Sequence, residues 1–199
     1  MKIRNRVFVK DHLEKGQALT LDQRAAHYLF HVLRCQEGEY ISIFNESTEW
    51  LSKIDKINSK NVQVSIEKNI KSADKREDIT LYFSPIKKNQ TELVIQKCTE
   101  IGVTNFQPVL MERTNFSSFN IDRLSLIAIE AIEQSEQMKI PSIFEPIQFE
   151  ELLSRDQKDH ITLVCSVGEN NDSIKNVIKN HSASNYSLFV GPEGDFSET

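Results

Sequence analysis

The chain has 199 residues, a net charge of −5 and 39% hydrophobic residues, which suffice for one large or two small cores. This composition excludes a disordered chain, and no apolar run is long enough for a transmembrane helix. The N-terminal residues alternate charged and apolar side chains, unlike a secretory signal peptide. We therefore expect a cytoplasmic protein without membrane contact.

The charges are distributed unevenly along the chain. Residues 1–76 contain 14 Lys and Arg against 10 Asp and Glu, whereas residues 77–199 contain 10 against 19. RNA affinity depends on positive charge opposite phosphates, so the N-terminal part is the better candidate for RNA contact. Charge alone does not decide this, because two domains of different surface composition would give the same asymmetry without RNA.

The first 70 residues have the pattern of a small β-barrel carrying one helix. Period-2 alternation predicts strands at Val7–Val9, Tyr40–Phe44, Trp50–Ile57 and Val62–Ile66. Helical spacing predicts a helix over Asp22–Arg34, with Asp22 as its N-cap. A turn at Asn58–Asn61 separates the last two strands at hairpin length.

Residues 70–78 are polar and charged, which predicts a linker between domains at 1–72 and 77–199. Beyond the linker, predicted strands alternate with predicted helices. The strands are 79–86, 105–111, 161–166 and 187–192; the helices are Gln90–Glu100, Ile121–Gln137, Phe149–Arg155 and Ser173–Asn180. This alternation predicts an α/β domain with a parallel sheet covered by helices.

Three stretches of the second domain lie where a strand gives way to a loop or helix, the edge at which open α/β sheets bind ligands. In the first, Lys87 and Lys88 precede a helix and are either a solvated face or a phosphate contact. In the second, 130–141, the residue pattern by itself predicts an ordinary helix surface.

The third stretch is Gly191-Pro192-Glu193-Gly194, which follows a predicted strand. Two glycines leave backbone N–H groups uncovered and allow a ligand to approach closely. A cofactor fits there, although the same sequence forms a simple tight turn in most proteins. A nucleotide-hydrolysing site is disfavoured, because the Lys-Ser/Thr of a phosphate loop is missing.

His27 and His31 stand four positions apart on the predicted helix, a spacing that can hold zinc. No third ligand lies nearby in the sequence, and the three cysteines are far apart. We therefore predict no metal site. Aromatic packing, or contact with a base or phosphate, is the better interpretation of the histidine pair.

Taken together in order and spacing, these stretches resemble the RsmE family of SPOUT methyltransferases, which methylate N3 of a uridine in small-subunit ribosomal RNA. The matching positions are Arg6 and Phe8, His27 with Val32-Leu33-Arg34, Glu92, Ile95–Val103, Glu112-Arg113, Glu133-Gln134-Ser135, Pro141, and Gly191-Pro192-Glu193-Gly194 followed by Phe196-Ser197. The resemblance implies a PUA-like RNA-binding β-barrel joined to a SPOUT α/β domain with a trefoil knot. It also implies a homodimer that binds S-adenosylmethionine in the knot loops and acts on 16S rRNA.

The resemblance also implies roles for individual residues. The cofactor-binding residues are Val190, Gly191, Pro192, Glu193 and Gly194. The RNA-binding residues are Arg6, His27, Arg34, Lys87, Lys88, Gln134 and Ser135. Arg113 is the candidate catalytic cation, since N3 of uridine titrates well above neutrality and must lose its proton. No residue is assigned as the general base.

The chain departs from the family pattern at three places. Gln90 stands where the family commonly has lysine, and Gln137 where it often has arginine. The family also continues beyond the position of Thr199 through a second cofactor loop and a closing helix, so we expect an incomplete knot and a steeply reduced cofactor affinity. The rival interpretation is a non-catalytic RNA-binding module on a degenerate scaffold; S-adenosylmethionine binding distinguishes the two.

Overall fold

The structure is a computed structural model that describes residues 5–74, 78–114, 118–154, 160–165, 173–180 and 185–192. The chain divides into two compact units, called unit 1 and unit 2 below. Unit 1 comprises Met1–Lys75 and Ile132–Lys139, and unit 2 comprises Arg76–Ala131 and Ile140–Thr199. Glu193, Gly194 and the knot segment that would follow them lie outside the described residues.

The secondary structure follows the two predicted patterns. The strands are β1 (Arg6–Phe8), β2 (Ala18–Thr20), β3 (Tyr40–Phe44), β4 (Thr48–Ile57), β5 (Val62–Ser72), β6 (Ile79–Phe83), β7 (Asn105–Leu110), β8 (Ser142–Ile143), β9 (Ile147–Gln148), β10 (His160–Cys165) and β11 (Asn185–Val190). The helices are α1 (Gln23–His27), α2 (Lys88–Glu100), α3 (Ile121–Ser135), α4 (Phe149–Ser154) and α5 (Ile174–Asn180), and a π-helical turn (Tyr28–Val32) directly follows α1.

Unit 1 contains a five-stranded sheet in the order β1-β3-β4-β5-β2. β1 pairs with β3 in parallel, and the other pairs are antiparallel. The hairpin between β4 and β5 closes at the predicted turn, where the Asn58 side chain accepts hydrogen bonds from the N–H groups of Lys60 and Asn61. The alternating residues of β3, β4 and β5 pack with Leu29 into one core; they include Ile41, Ile43, Ile54, Val62, Val64 and Ile66.

The helix predicted over Asp22–Arg34 is present, but its second half differs from the prediction. Asp22 is the N-cap, as predicted, and its side chain accepts a hydrogen bond of 2.7 Å from the N–H of Ala25. After His27 the helix widens into the π-helical turn, whose backbone bonds span five residues. Arg34, with φ of 54°, ends the turn in the left-handed region.

Unit 2 contains the predicted parallel sheet, in the order β10-β11-β6-β7-β8, and β9 also pairs with β7 in parallel. Helices α2 and α3 cover one face through Ile95 and Leu124, which pack against Phe106. On the other face, Leu152 of α4 packs against Phe189. Because every strand runs the same way, all carboxyl ends lie at one edge of the sheet.

Three short strands, β2, β8 and β9, were not predicted, since two or three residues do not establish a period. β5 continues to Ser72, six residues beyond its predicted end at Ile66 and into the predicted linker. Among the described residues, no helix is both long and apolar enough to cross a membrane.

Candidate functional site

The carboxyl ends of β11, β6 and β7 meet around one buried serine of unit 2. Ser84, the residue after β6, donates its N–H to the carbonyl oxygen of Val190 at 3.1 Å. Its hydroxyl lies 2.7 Å from that of Thr114, four residues after β7. Ser84 is only 4% exposed, so these two contacts connect the ends of three neighbouring strands.

The first residues of the predicted cofactor turn lie at this edge. Val190 ends β11 and pairs with Cys165 of β10 on one side and with Phe83 of β6 on the other. Its side chain is 43% exposed, and Gly191 and Pro192 are half-buried. The strand end therefore offers apolar surface and a backbone without bulky polar side chains.

Arg113 lies at the same edge, in a turn that follows β7. The turn closes through two hydrogen bonds, from the Thr114 N–H to the Met111 carbonyl at 2.9 Å and from the Met111 N–H to the Thr114 hydroxyl at 2.8 Å. Arg113 is exposed. Only β6 separates β7 from β11, so the two strand ends are roughly 10 Å apart at ordinary strand spacing.

The two predicted phosphate contacts, Lys87 and Lys88, follow β6 and start α2. Lys87 is the N-cap, its side chain forms no capping hydrogen bond, and both lysines are exposed. The positive end of the helix and two ammonium groups make this corner of the edge favourable for an anion. The structure therefore brings Lys87, Lys88, Arg113 and Val190 to one edge of unit 2.

In unit 1, Arg6, a predicted RNA contact, is buried and forms hydrogen bonds within the unit. Arg6 is 7% exposed, and its guanidinium donates to both carboxylate oxygens of Glu49, at 2.9 and 3.0 Å. Nη1 donates to the carbonyl of Ile132 at 2.7 Å, and the guanidinium carbon lies 4.1 Å from the ring centre of Phe44. These contacts give Arg6 a structural role within unit 1.

The buried partner of Arg6 is held in its ionised form. Burial by itself raises the pKa of the Glu49 carboxyl, but the hydrogen bonds from Arg6 and Ser42 outweigh burial and lower this pKa below its usual value. Glu49 was not recognised in the sequence, where it is one of several acidic residues near a predicted strand.

The Glu133-Gln134-Ser135 stretch is not the plain helix surface that its residue pattern predicted. Glu133 is 5% exposed and accepts hydrogen bonds from the Arg24 guanidinium at 2.9 and 3.2 Å and from the Phe8 N–H at 2.9 Å. Gln134 is exposed and donates to the Tyr28 hydroxyl at 3.0 Å. Ser135 is half-buried.

The predicted RNA contacts His27 and Arg34 lie on either side of the π-helical turn, which also carries Phe30 and His31. His27, Phe30, His31 and Arg34 are all exposed. The rings of His27 and His31 are 4.8 Å apart, and those of Phe30 and His31 are 4.9 Å apart. In the part of the chain that the structure describes, no three His, Cys, Asp or Glu side chains form a group that could hold a metal ion.

Two parts of the chain match known sequence families. Residues 72–199 match a family described as the RNA methyltransferase domain, and residues 21–67 match the RNA methyltransferase PUA domain. The chain belongs to the RNA methyltransferase family. The resemblance to RsmE-type enzymes is confirmed, and so is the prediction of a PUA-like domain joined to a SPOUT α/β domain.

Related proteins are similar along most of the chain. Ribosomal RNA small subunit methyltransferase E of Rickettsia conorii is 29% identical over 97% of this chain and 80% of the relative. The protein of the same name from Synechocystis is 28% identical over 90% of this chain and 61% of the relative.

Solved structures show the same fold. A ribosomal RNA small subunit methyltransferase E from Neisseria gonorrhoeae, bound to S-adenosylmethionine, gives a TM-score of 0.87 at 25% identity, covering 98% of this chain and 81% of the other. A Legionella pneumophila methyltransferase with the same cofactor gives 0.85 at 25% identity, covering 100% and 83%.

Proposed function

We propose that this protein transfers a methyl group from S-adenosylmethionine to N3 of a uridine in the 16S rRNA of the small ribosomal subunit. The observation that carries the proposal is the junction at Ser84, where the start of the Gly191-Pro192 turn and the Arg113 turn meet at one edge of the parallel sheet. Family membership and the two cofactor-bound structural neighbours support it.

The residues present fit the cofactor. Val190, Gly191 and Pro192 would bind it through backbone groups and through the exposed Val190 side chain. Glu193 and Gly194, which complete the motif in the sequence, lie outside the described residues. Glycine at this position keeps the approach free of a β-carbon. When bound, the cofactor supplies the activated methyl group, and the protein supplies position and electrostatics.

Arg113 would stabilise the anion that forms as N3 of uridine loses its proton. A fixed cation near developing negative charge lowers the barrier most when it is in place before reaction. Holding the base in line with the methyl group would lower the activation barrier further, because the two reactants are already aligned when they react. The group that accepts the N3 proton is not assigned.

The RNA would contact both units. In unit 1 the exposed His27, Arg34 and Gln134 offer stacking and hydrogen-bonding surfaces, and in unit 2 Lys87 and Lys88 offer charge for phosphates. Ser135, the last residue of α3, adjoins this surface. Arg6, which was also predicted to bind RNA, is buried and does not belong to this exposed set. We also propose that the protein is cytoplasmic and forms a homodimer.

The test is methylation of unmodified small ribosomal subunits with isotope-labelled S-adenosylmethionine, followed by identification of the modified nucleoside. We expect label in 3-methyluridine and cofactor binding by calorimetry. Arg113→Ala should lower the rate roughly 10²-fold or more while leaving the cofactor dissociation constant unchanged. Lys97→Ala, which removes another exposed cation of unit 2, is the matched control and should change neither quantity.

The same assays should be repeated on a version extended by a family-type C-terminal segment. If only the extended version is active, the length of the chain, and not the proposed function, accounts for the missing activity. RNA binding without cofactor binding in both versions would overturn the proposal in favour of a non-catalytic RNA-binding module. Label in a nucleoside other than 3-methyluridine would overturn the N3 specificity alone.

A further inference from the structure

A second concave site of unit 2 opens beside the start of α2, between that helix and the start of α3. It has a volume of about 170 Å³, and the polar residues of its wall are Lys88, Thr91, Glu92, Ser118, Asn120 and Arg123. Sites for whole drug-sized ligands or cofactors measure roughly 300–1,000 Å³. This cavity is therefore too small for S-adenosylmethionine and suits a single ring or a phosphate.

The cavity wall carries hydrogen-bond donors that have no partner within the described part of the chain. The ammonium group of Lys88 and the hydroxyl of Ser118 make no hydrogen bond there. Asn120 uses its carbonyl oxygen to accept from the Arg123 N–H at 2.9 Å, which leaves its amide NH₂ for a ligand. Such a set of donors matches a ligand rich in acceptors, such as a base with carbonyl groups or a phosphate.

Arg123 is held in place by Glu92. Its Nε and Nη2 donate to the two carboxylate oxygens at 2.8 and 3.1 Å, and Nη1 has no partner among the described residues. The hydrogen bond from Arg123 lowers the pKa of Glu92, so the carboxylate stays ionised and keeps the guanidinium fork oriented. Glu92 therefore positions the Arg123 guanidinium, whose Nη1 can still donate a hydrogen bond to a ligand.

The remaining wall is apolar and includes an aromatic ring. Phe119 lines the cavity and packs against the core of unit 2, whose buried member Leu124 also lines the cavity. A ring anchored in this way offers a fixed surface on which a planar base can stack. An apolar wall beside hydrogen-bond donors favours a nucleobase over inorganic phosphate, which has no apolar surface to pack against it.

We propose that this cavity receives the base of one RNA nucleotide against Phe119, while the phosphate of that nucleotide lies outside the cavity at the exposed Lys88. The cavity adjoins the candidate site, because its lining residue Pro85 directly follows Ser84. The proposal rests on the proposed function for the identity of the RNA, but it requires only nucleotide binding. It assigns substrate recognition to Ser118, Asn120 and Arg123, none of which the sequence motifs indicated.

The test uses uridine 5′-monophosphate as the probe and the 199-residue chain, followed by amide and aromatic NMR shifts. We expect shifts at Phe119 and Asn120, and Lys88→Gln should raise the dissociation constant about fivefold to tenfold. Ser118→Leu, which places a larger side chain at an exposed position of the cavity wall, should raise the dissociation constant at least as much. Lys97→Gln, on the exposed surface of the same helix, should leave it unchanged.

Three comparisons make the outcome decisive. If inorganic phosphate competes with the nucleotide at equal concentration while uridine causes no shift at Phe119, the base-binding part is wrong. If S-adenosylmethionine displaces the nucleotide and shifts the same residues, the cavity belongs to the cofactor and the proposal fails. Nucleotide binding without methyl transfer, in both the 199-residue chain and its extended version, would overturn the proposed function and leave this inference standing.

Discussion

The two units use ion pairs in opposite ways. In unit 1 the side chains of Arg6 and Glu49 are 7% and 8% exposed, and Glu133 is 3% exposed beside Arg24. In unit 2 the side chains of Arg123 and Glu92 are 55% and 19% exposed. Breaking a buried pair leaves an unpaired charge in the interior, whereas breaking an exposed pair returns both groups to water. Removing one partner of a buried pair should therefore destabilise unit 1, whereas the exposed Arg123–Glu92 pair of unit 2 remains accessible to a ligand.

This difference also changes the meaning of the charge asymmetry. Residues 1–76 have four more basic than acidic residues, which favoured RNA contact by the N-terminal part. Arg6 and Arg24 are among those basic residues, and both are committed to carboxylates within unit 1. The positive charge that unit 1 can offer to RNA is therefore smaller than its composition indicates.

The largest effect should come from Arg6→Ala. The substitution leaves Glu49 buried without its cation and removes the donor to Ile132, so we expect unit 1 to lose about 3–5 kcal/mol of unfolding free energy. Urea denaturation monitored by Trp50 fluorescence measures it. Arg34→Ala, an exposed arginine of the same unit, is the control and should change stability by less than about 0.5 kcal/mol.

RNA binding by the same two variants sharpens the comparison. Arg34→Ala should weaken binding to small-subunit RNA and reduce its dependence on salt, because one phosphate contact is lost. A folded Arg6→Ala protein that showed the same loss of affinity and salt dependence would contradict the structural role given to Arg6.

Glu133→Ala should have the next largest effect. It leaves the Phe8 N–H without its acceptor and Arg24 without its carboxylate, so we expect a loss of about 2–3 kcal/mol. Glu133→Gln keeps an acceptor for the N–H and should lose less. Gln134→Ala, at the neighbouring exposed position, serves as the control in the same denaturation experiment, and equal losses for Glu133 and Gln134 would refute the distinction.

The unfolding free energy of unit 1 should depend on pH through the titration of Glu49. The pKa of Glu49 is lower in the folded protein than its ordinary value of 4.5, so the unfolded state binds more protons around that pH. The stabilisation by Glu49 is complete above the ordinary pKa of 4.5, and it is lost as the pH falls through the lower pKa of the folded protein. Unfolding free energies between pH 3 and 7 should therefore fall less steeply on the acid side for Glu49→Gln than for the unchanged protein.

Breaking the exposed Arg123–Glu92 pair of unit 2 should have the smallest effect on stability. Glu92→Gln and Arg123→Gln should leave the melting temperature unchanged within error, because both groups remain hydrated when separated. Arg123→Gln should nevertheless weaken nucleotide binding in the cavity. A fall in melting temperature as large as that of the Glu133 variants would show that exposure does not govern these ion pairs.

The sequence alone determined most of the architecture. β3, the parallel sheet of unit 2, helices α2 to α5 and the Asp22 cap follow from period, capping chemistry and turn residues, all of which act between neighbours in the chain. The motif from Gly191 onward was also visible, because it directly follows a strand. The described residues of this motif, Gly191 and Pro192, lie at the predicted strand end.

Only the tertiary structure decided which charged groups are buried and which residues share a site. Arg6 and Ile132 are 126 positions apart, and nothing near Arg6 in the sequence distinguishes it from an exposed arginine such as Arg34. The cavity likewise combines Lys88 with Ser118 and Arg123, which belong to separate helices and loops. Desolvation depends on every group that surrounds a charge, so burial and pairing are properties of the packed chain rather than of any local pattern.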